Sequence, residues 1–311
     1  MKIGFIGSST ISQFHISALR NNGFEIIGIG TTENSINCEK FARENFLIDY
    51  FCKKGWEEVI EKEVDAYCIC IDTTYTPEIL LRVLDKGKPI LVEKPIAWEL
   101  SKLEPIIKHK NVSKIFVGYN RRFYRVVKIA KEFAKESKGG TVYINIPDSK
   151  IGSKRFISNG CHMVDLARYL FGDFEINNKI KINNDCGEMA YLTAFCSNNK
   201  WTITINAHSL IPANFSITIN SGKNVFELSP IEKYSLFEGL EIVEPHENFP
   251  LRRYVPKVIQ SEFEDAKFKP GFNEMYRQFK KFILGSCIYT QNIIDVNQAY
   301  LTLEKCYELI K

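Results

Sequence analysis

The chain has 311 residues, is 45% hydrophobic and 25% charged, and carries a formal net charge of +4. These proportions fit a soluble globular protein of one or two domains. So small a positive surplus gives no footprint for nucleic acid, and no apolar run reaches the ~20 residues of a membrane span. Nine cysteines are scattered without a CxxC pair or metal-ligand spacing. The expectation is therefore reduced thiols in a cytoplasmic protein, with no metal site and no membrane or nucleic-acid partner. The first strand is expected to start at Lys2, which leaves no room for a signal peptide.

In chain order, residues 3–7 read as a strand and a helical pattern follows to about residue 22, through Ile11, Phe14, Ala18 and Leu19. Strands are expected at 24–29, 47–51, 64–71, 90–92 and 115–117, and helices around Phe41 and at 56–61, 77–86 and 99–109. Strands alternating with helices over short links predict a doubly wound parallel sheet over residues 1–120, a dinucleotide-binding Rossmann domain.

The first strand-to-helix turn reads Gly7-Ser8-Ser9-Thr10-Ile11-Ser12. A dinucleotide fingerprint has glycine at the first, third and sixth places. Only Gly7 is kept, while Ser9 and Ser12 are small and offer hydroxyls. Helix N–H groups at such a turn attract a phosphate. The second strand leads into Thr31 and Thr32, which could meet a ribose, and the nearest acid, Glu33, stands two places late. NAD and NADP both stay open. The long strand at 64–71 ends in Asp72-Thr73-Thr74. Asp72 either binds the nicotinamide ribose or caps the helix entered near Thr76.

Gly87-Lys88 turns into the short run 89–92, and Glu93-Lys94-Pro95 follows. Ligands sit beyond the carboxyl ends of strands in such sheets, so Glu93 and Lys94 would stand at the mouth of a site. The last strand of the sheet runs on into Gly118-Tyr119-Asn120-Arg121-Arg122-Phe123. Further on, Asn159-Gly160-Cys161-His162-Met163-Val164-Asp165-Leu166 opens a helix.

These four stretches together resemble the glucose-fructose oxidoreductase / inositol dehydrogenase / rhizopine-catabolism family of NAD(P)-dependent sugar oxidoreductases. The Glu-Lys-Pro tripeptide after a Gly-Lys turn and the Gly-x-His-x-x-Asp helix start are the most specific matches. The serine-bearing turn and the Ser-Asn-Gly-x-His form look most like members from surface-polysaccharide gene clusters. The resemblance implies that Gly7, Ser8, Ser9, Thr10, Ile11, Thr31, Thr32, Asp72, Thr73, Thr74, Glu93 and Lys94 hold NAD or NADP. It implies Tyr119, Asn120, Arg121, Asn159 and Asp165 as substrate residues, and a dimer or tetramer built on a broad sheet.

Removing a hydride from a sugar carbinol also requires a base with a pKa near working pH and a cation for the developing alkoxide. His162 and Lys94 supply those chemistries, and Arg121 and Arg122 would suit the phosphates of a nucleotide-sugar. Relatives often carry an Asp four residues before this histidine; here that place is Ser158, which could instead N-cap the helix. Two other readings stay open: a non-catalytic dinucleotide sensor, and a glycosidase or epimerase that oxidises its sugar only transiently.

Residues 121–311 read as an α+β substrate and oligomerisation domain. Its strands are expected at 141–146, 176–182, 188–196, 201–208, 214–220 and 224–228, with a less regular stretch at 232–256. Helices are expected at 158–170, 272–284 and 296–310, with Tyr276, Phe279 and Ile283 forming a core stripe.

Overall fold

The computed structural model describes residues 1–47, 49–149, 152–265, 267–286 and 294–311. They form two units, Met1–Phe123 with Asp265–Lys305, and Tyr124–Glu264 with Cys306–Lys311.

The first unit is built on a six-stranded parallel sheet. Its strands are β1 (Lys2–Ile6), β2 (Glu25–Gly30), β3 (Tyr50–Phe51), β4 (Ala66–Ile69), β5 (Ile90–Val92) and β6 (Ile115–Val117), in the order β3-β2-β1-β4-β5-β6. Ile48, within the strand expected at 47–51, lies outside the described residues. The helices of this part are α1 (Ser12–Asn21), α2 (Cys38–Glu44), α3 (Trp56–Ile60), α4 (Thr76–Leu84) and α5 (Glu104–Ile107). β4 and β5 are wholly buried, as continuous apolar runs in a parallel sheet require. The helix expected at 99–109 is instead a 3-10 turn, Leu100–Lys102, followed by the short α5. Pro105 has no N–H to donate, so it fits only the first turn of a new helix.

The division of the chain differs from a single boundary at residue 120. After Glu264 the chain returns to the first unit, where a late helix helps to complete this core. The returning helix covers Phe272–Ile283 and buries Phe272, Met275, Tyr276 and Phe279. These pack with Ile3, Phe5, Leu19 and Phe24 in one cluster. Burying each such phenylalanine contributes roughly 1.5–3 kcal/mol, so residues this far along the chain stabilise the parallel-sheet unit directly.

The expectation of reduced thiols fails at one place. Cys38 and Cys52 form a disulfide, with their Cα atoms 5.7 Å apart. The start of α2 and the residue after β3 meet at a separation that suits a disulfide, although 14 positions part them in sequence.

The second unit contains α6 (Arg125–Glu136), α7 (Ser153–Arg155), α8 (Cys161–Phe171) and an eight-stranded sheet. Its strands are β7 (Gly140–Asp148), β8 (Glu175–Asn183), β9 (Met189–Ser197), β10 (Trp201–Ser209), β11 (Ser216–Ser221), β12 (Asn224–Leu228), β13 (Lys233–Val243) and β14 (Arg253–Phe263). They lie in the order β14-β13-β12-β11-β7-β10-β9-β8, antiparallel except for the β7–β10 pair. The stretch at 232–256 expected to be irregular is thus mostly two long paired strands, β13 and β14. β14 is largely exposed and β13 mostly half-buried, so neither carries a clean alternation of apolar and polar residues. One face of the central strands is buried through Val142, Ile144, Ile203, Ile205 and Ile217. The other leaves Tyr143, Tyr191 and Phe195 each more than 40% exposed. The returning helix is α9 (Phe272–Ile283), and α10 (Val296–Ile310) ends the chain.

Candidate functional site

In the first unit, β1 has β2 on one side and β4 on the other, so the strand order reverses beside it. Beyond the carboxyl ends of these strands lies a cavity of about 460 Å³. It is lined by Gly7, Ser8 and Ser9 after β1, by Thr31, Thr32 and residues 34–37 after β2, and by residues 70–72, Thr74 and Tyr75 after β4. Seven residues assigned to the cofactor from sequence therefore line one cavity; Thr10, Ile11, Thr73, Glu93 and Lys94 do not.

Gly7 makes the turn possible. Its φ is +137°, and an added Cβ would stand 2.0 Å from the Cys70 carbonyl oxygen. Its N–H donates to the Gly30 carbonyl at 2.9 Å, which ties the ends of β1 and β2. Ser12, at the place of the fingerprint's last glycine, is fully buried. Its hydroxyl accepts the Ser9 N–H at 3.1 Å and lies 3.1 Å from the Ser9 hydroxyl. The serines thus brace the turn internally where glycines would leave it bare. α1 has no acidic residue in its first turn, so no carboxylate of that turn neutralises the helix end.

These features fit a dinucleotide. The Thr31 hydroxyl is buried against the cavity with no hydrogen-bond partner among the described residues, as a group awaiting a ligand hydroxyl would be. Asp72 Oδ1 accepts the Thr74 N–H at 2.8 Å, and the Asp72 carbonyl accepts the Thr76 N–H and hydroxyl. Asp72 therefore shapes the entry to α4 while also lining the cavity. Glu33 is turned out towards Lys54, at 3.8 Å, and is absent from the cavity wall.

The Glu93-Lys94-Pro95 segment follows β5 directly, and its Lys94–Pro95 peptide is cis. Glu93 and Lys94 are half-buried. Glu93 Oε1 lies 2.9 Å from His15 Nε2, and Glu93 Oε2 accepts the Lys94 N–H at 3.2 Å. Burial by itself raises the Glu93 carboxyl, but His15 and Lys94 outweigh it and hold the group below its ordinary value. The sequence offered no reason to single out His15, a polar residue on the buried face of α1. Tyr119 and Asn120 are buried, and the Asn120 amide donates to the Pro270 carbonyl at 3.0 Å. Arg121 is half-buried and Arg122 is buried, so neither is a solvated surface arginine.

In the second unit, His162 and Asp165 sit one turn apart on α8, 7% and 1% exposed. A π turn, Phe156–Gly160, leads into this helix. Ser158 does not N-cap it: its hydroxyl donates back to the Arg155 carbonyl at 3.1 Å. The π turn moves Ser158 too far back to reach the free N–H groups of α8. Asn159 donates to Asp148 Oδ2 at 3.1 Å, and Arg155 donates to Asp148 Oδ1 through Nε and Nη2 at 3.2 and 3.0 Å. Asp148 at the end of β7 thus ties both ends of the turn that leads to His162. Asp148 and Asn159 line an open pocket of about 570 Å³ together with residues 210–215.

Among the described residues, no helix is long and apolar enough to cross a membrane. A family model described as "Oxidoreductase family, NAD-binding Rossmann fold" matches residues 1–119. Inositol 2-dehydrogenase of Rhizobium meliloti (strain 1021) is 24% identical over 189 residues, covering 56% of this chain and 56% of that protein. The chain thus spans about half the length of this curated relative. Among solved structures, a dehydrogenase (MviM) from Clostridium difficile matches with a TM-score of 0.77 at 19% identity, covering 100% of this chain and 98% of that one. The WlbA dehydrogenase from Bordetella pertussis, in complex with NADH and UDP-GlcNAcA, matches with a TM-score of 0.73 at 16% identity, covering 99% and 95%.

Proposed function

We propose that this chain, which belongs through residues 1–119 to the Gfo/Idh/MocA oxidoreductase family, moves a hydride between NAD or NADP and a carbinol or carbonyl carbon of a sugar. The observation that carries this is the cavity at the reversal point of the parallel sheet, with the Gly7 turn, the unpartnered Thr31 hydroxyl and Asp72 on its wall. When bound there, the nicotinamide accepts or returns the hydride. The Gly7–Ser9 turn and the α1 N-terminus would hold the pyrophosphate, and Thr31 and Thr32 the adenosine ribose. Thr10, Ile11, Thr73 and Thr74 would complete the two turns that frame it.

Lys94 would stabilise the alkoxide that develops as the carbinol is oxidised, and His162 would take its proton. Tyr119, Asn120, Arg121, Asn159 and Asp165 would bind the sugar. A nucleotide-sugar is the favoured substrate class, supported by the whole-length fold likeness to a dehydrogenase solved with UDP-GlcNAcA. The exposed Tyr143, Tyr191 and Phe195 on one sheet face support a second copy of the chain as its cover, in a dimer or tetramer.

The test is Lys94→Ala assayed with a panel of sugars and UDP-sugars. The variant should still bind dinucleotide, and its turnover should fall by roughly 100-fold or more. Undiminished turnover would remove Lys94 from the chemistry.

A further inference from the structure

Behind Glu93 runs a buried polar chain that links four elements of the first unit. Glu93 Oε1 faces His15 Nε2 at 2.9 Å, and His15 Nδ1 lies 2.6 Å from the Tyr276 hydroxyl. That hydroxyl in turn lies 3.0 Å from Cys68 Sγ. His15, Cys68 and Tyr276 have no exposed surface. Gly118 gives the carboxylate its space, since a Cβ there would come within 3.2 Å of Glu93 Oε1. At the near end, Glu93 Oε2 holds the Lys94 N–H at 3.2 Å.

On the Nδ1 side, the Tyr276 hydroxyl and Cys68 can serve either charge state of His15 by exchanging donor and acceptor roles. With neutral His15, Nδ1 accepts from the Tyr276 O–H and that oxygen accepts the Cys68 S–H, while Nε2 stands 2.9 Å from Glu93 Oε1 out of line for a hydrogen bond, a charge contact rather than a donated one. With the imidazolium, Nδ1–H donates to the Tyr276 oxygen and the Tyr276 O–H turns to Cys68 Sγ. The titratable groups facing His15 are Glu93 after β5, Tyr276 on α9, and Cys68 and Cys70 on and after β4; the rings of Phe272 and Phe5 also lie against it, with centroids 4.8 and 6.4 Å away.

We propose that His15 and Tyr276 are positioning residues for Lys94: they fix the Glu93 carboxylate, which holds the Lys94 backbone, and they transmit the protonation of His15 to it. The inference rests on Lys94 being a reacting-site residue. Electrostatics point the same way. Burial pulls the His15 imidazole down, yet Cys70, Cys68 and Glu93 carry it well above its ordinary value. The proton of a buried group thus lies one carboxylate away from the lysine. An apolar residue at 276 would fill the same core, but it would leave His15 Nδ1 unmatched and loosen this register.

The experiment follows the Lys94 amide by NMR in the full-length protein with 15N-labelled lysine, assigned with Lys94→Arg, alongside the ring nitrogens of the five histidines. The Lys94 amide should show a pH step with the midpoint of the His15 ring. Tyr276→Phe should move both midpoints together by roughly half a pH unit or more. Glu93→Gln should lower the His15 midpoint and remove the step at Lys94. A Lys94 amide that ignores pH, or a step that Tyr276→Phe leaves in place, overturns the inference. Tyr276→Phe removes a single oxygen, so it serves even if His15 variants do not fold. An NADH titration of the same sample separates the two readings. NADH binding with a flat Lys94 amide overturns this inference alone, and an intact step without dinucleotide binding sinks the proposed function alone.

Discussion

Gly7→Ala puts the dinucleotide reading under the sharpest strain. At φ +137° a side chain costs roughly 1–2 kcal/mol before any contact is counted. The new methyl carbon would stand 2.0 Å from the Cys70 carbonyl oxygen, whereas carbon–oxygen contacts settle near ~3.3 Å. Either the turn after β1 or the end of β4 must therefore move by about 1.3 Å. Both segments line the cavity. Losing aligned hydrogen bonds from this turn to a charged phosphate costs about 3 kcal/mol, which is roughly 100-fold in dissociation constant. The assay is a titration followed by nicotinamide fluorescence, with thermal melting run in parallel. Gly187→Ala is the control: its φ is +78° with nothing within 4 Å, so it carries strain without a clash and lies far along the chain from the turn. If Gly7→Ala binds NADH as the native chain does, the turn does not hold the pyrophosphate.

Three further outcomes are expected. His15 has a raised folded pKa, so its stabilisation is complete below its ordinary 6.5 and is lost as pH rises through the folded value. Glu93 is depressed, so its contribution is complete above 4.5 and is lost as pH falls through the folded value. The gap in urea stability between the native chain and Glu93→Gln should therefore be widest between those two ordinary values and narrow on either side. Cys38→Ser opens a link spanning 14 positions and should cost about 3 kcal/mol of unfolding free energy under non-reducing conditions; an unchanged urea midpoint would refute it. Replacing Tyr143 and Phe195 by Glu together should turn an oligomer into a monomer in light scattering, and an unchanged mass would move the subunit contact elsewhere.

The parallel sheet was legible because its strands are short, buried on both faces and separated by helix-period patterns; β5 falls on residues 90–92 as expected. The cavity was legible because Gly7, Thr31 and Asp72 each follow a strand end, and strand order brings such ends together. Strands β13 and β14 were hidden because a half-buried strand and an exposed one carry no clean apolar alternation. The Cys38–Cys52 link was hidden because pairing depends on how α2 returns to β3 rather than on spacing. Tyr276 was legible as core but not as a hydrogen-bonding group. Its helical spacing says that it is buried, and only the return of α9 against α1 shows His15 within reach of its hydroxyl. Ser158 looked like a cap because helix periodicity cannot foresee a π turn.

The central claim is that the β1 turn holds a nicotinamide dinucleotide, and one titration reaches it most directly. The native chain is mixed with NADH and with NADPH in turn and nicotinamide fluorescence is recorded. The account predicts saturable binding of at least one of them at micromolar concentration, lost in Gly7→Ala and kept in Lys94→Ala. Absence of binding by both, in a protein whose melting curve shows it folded, would contradict it.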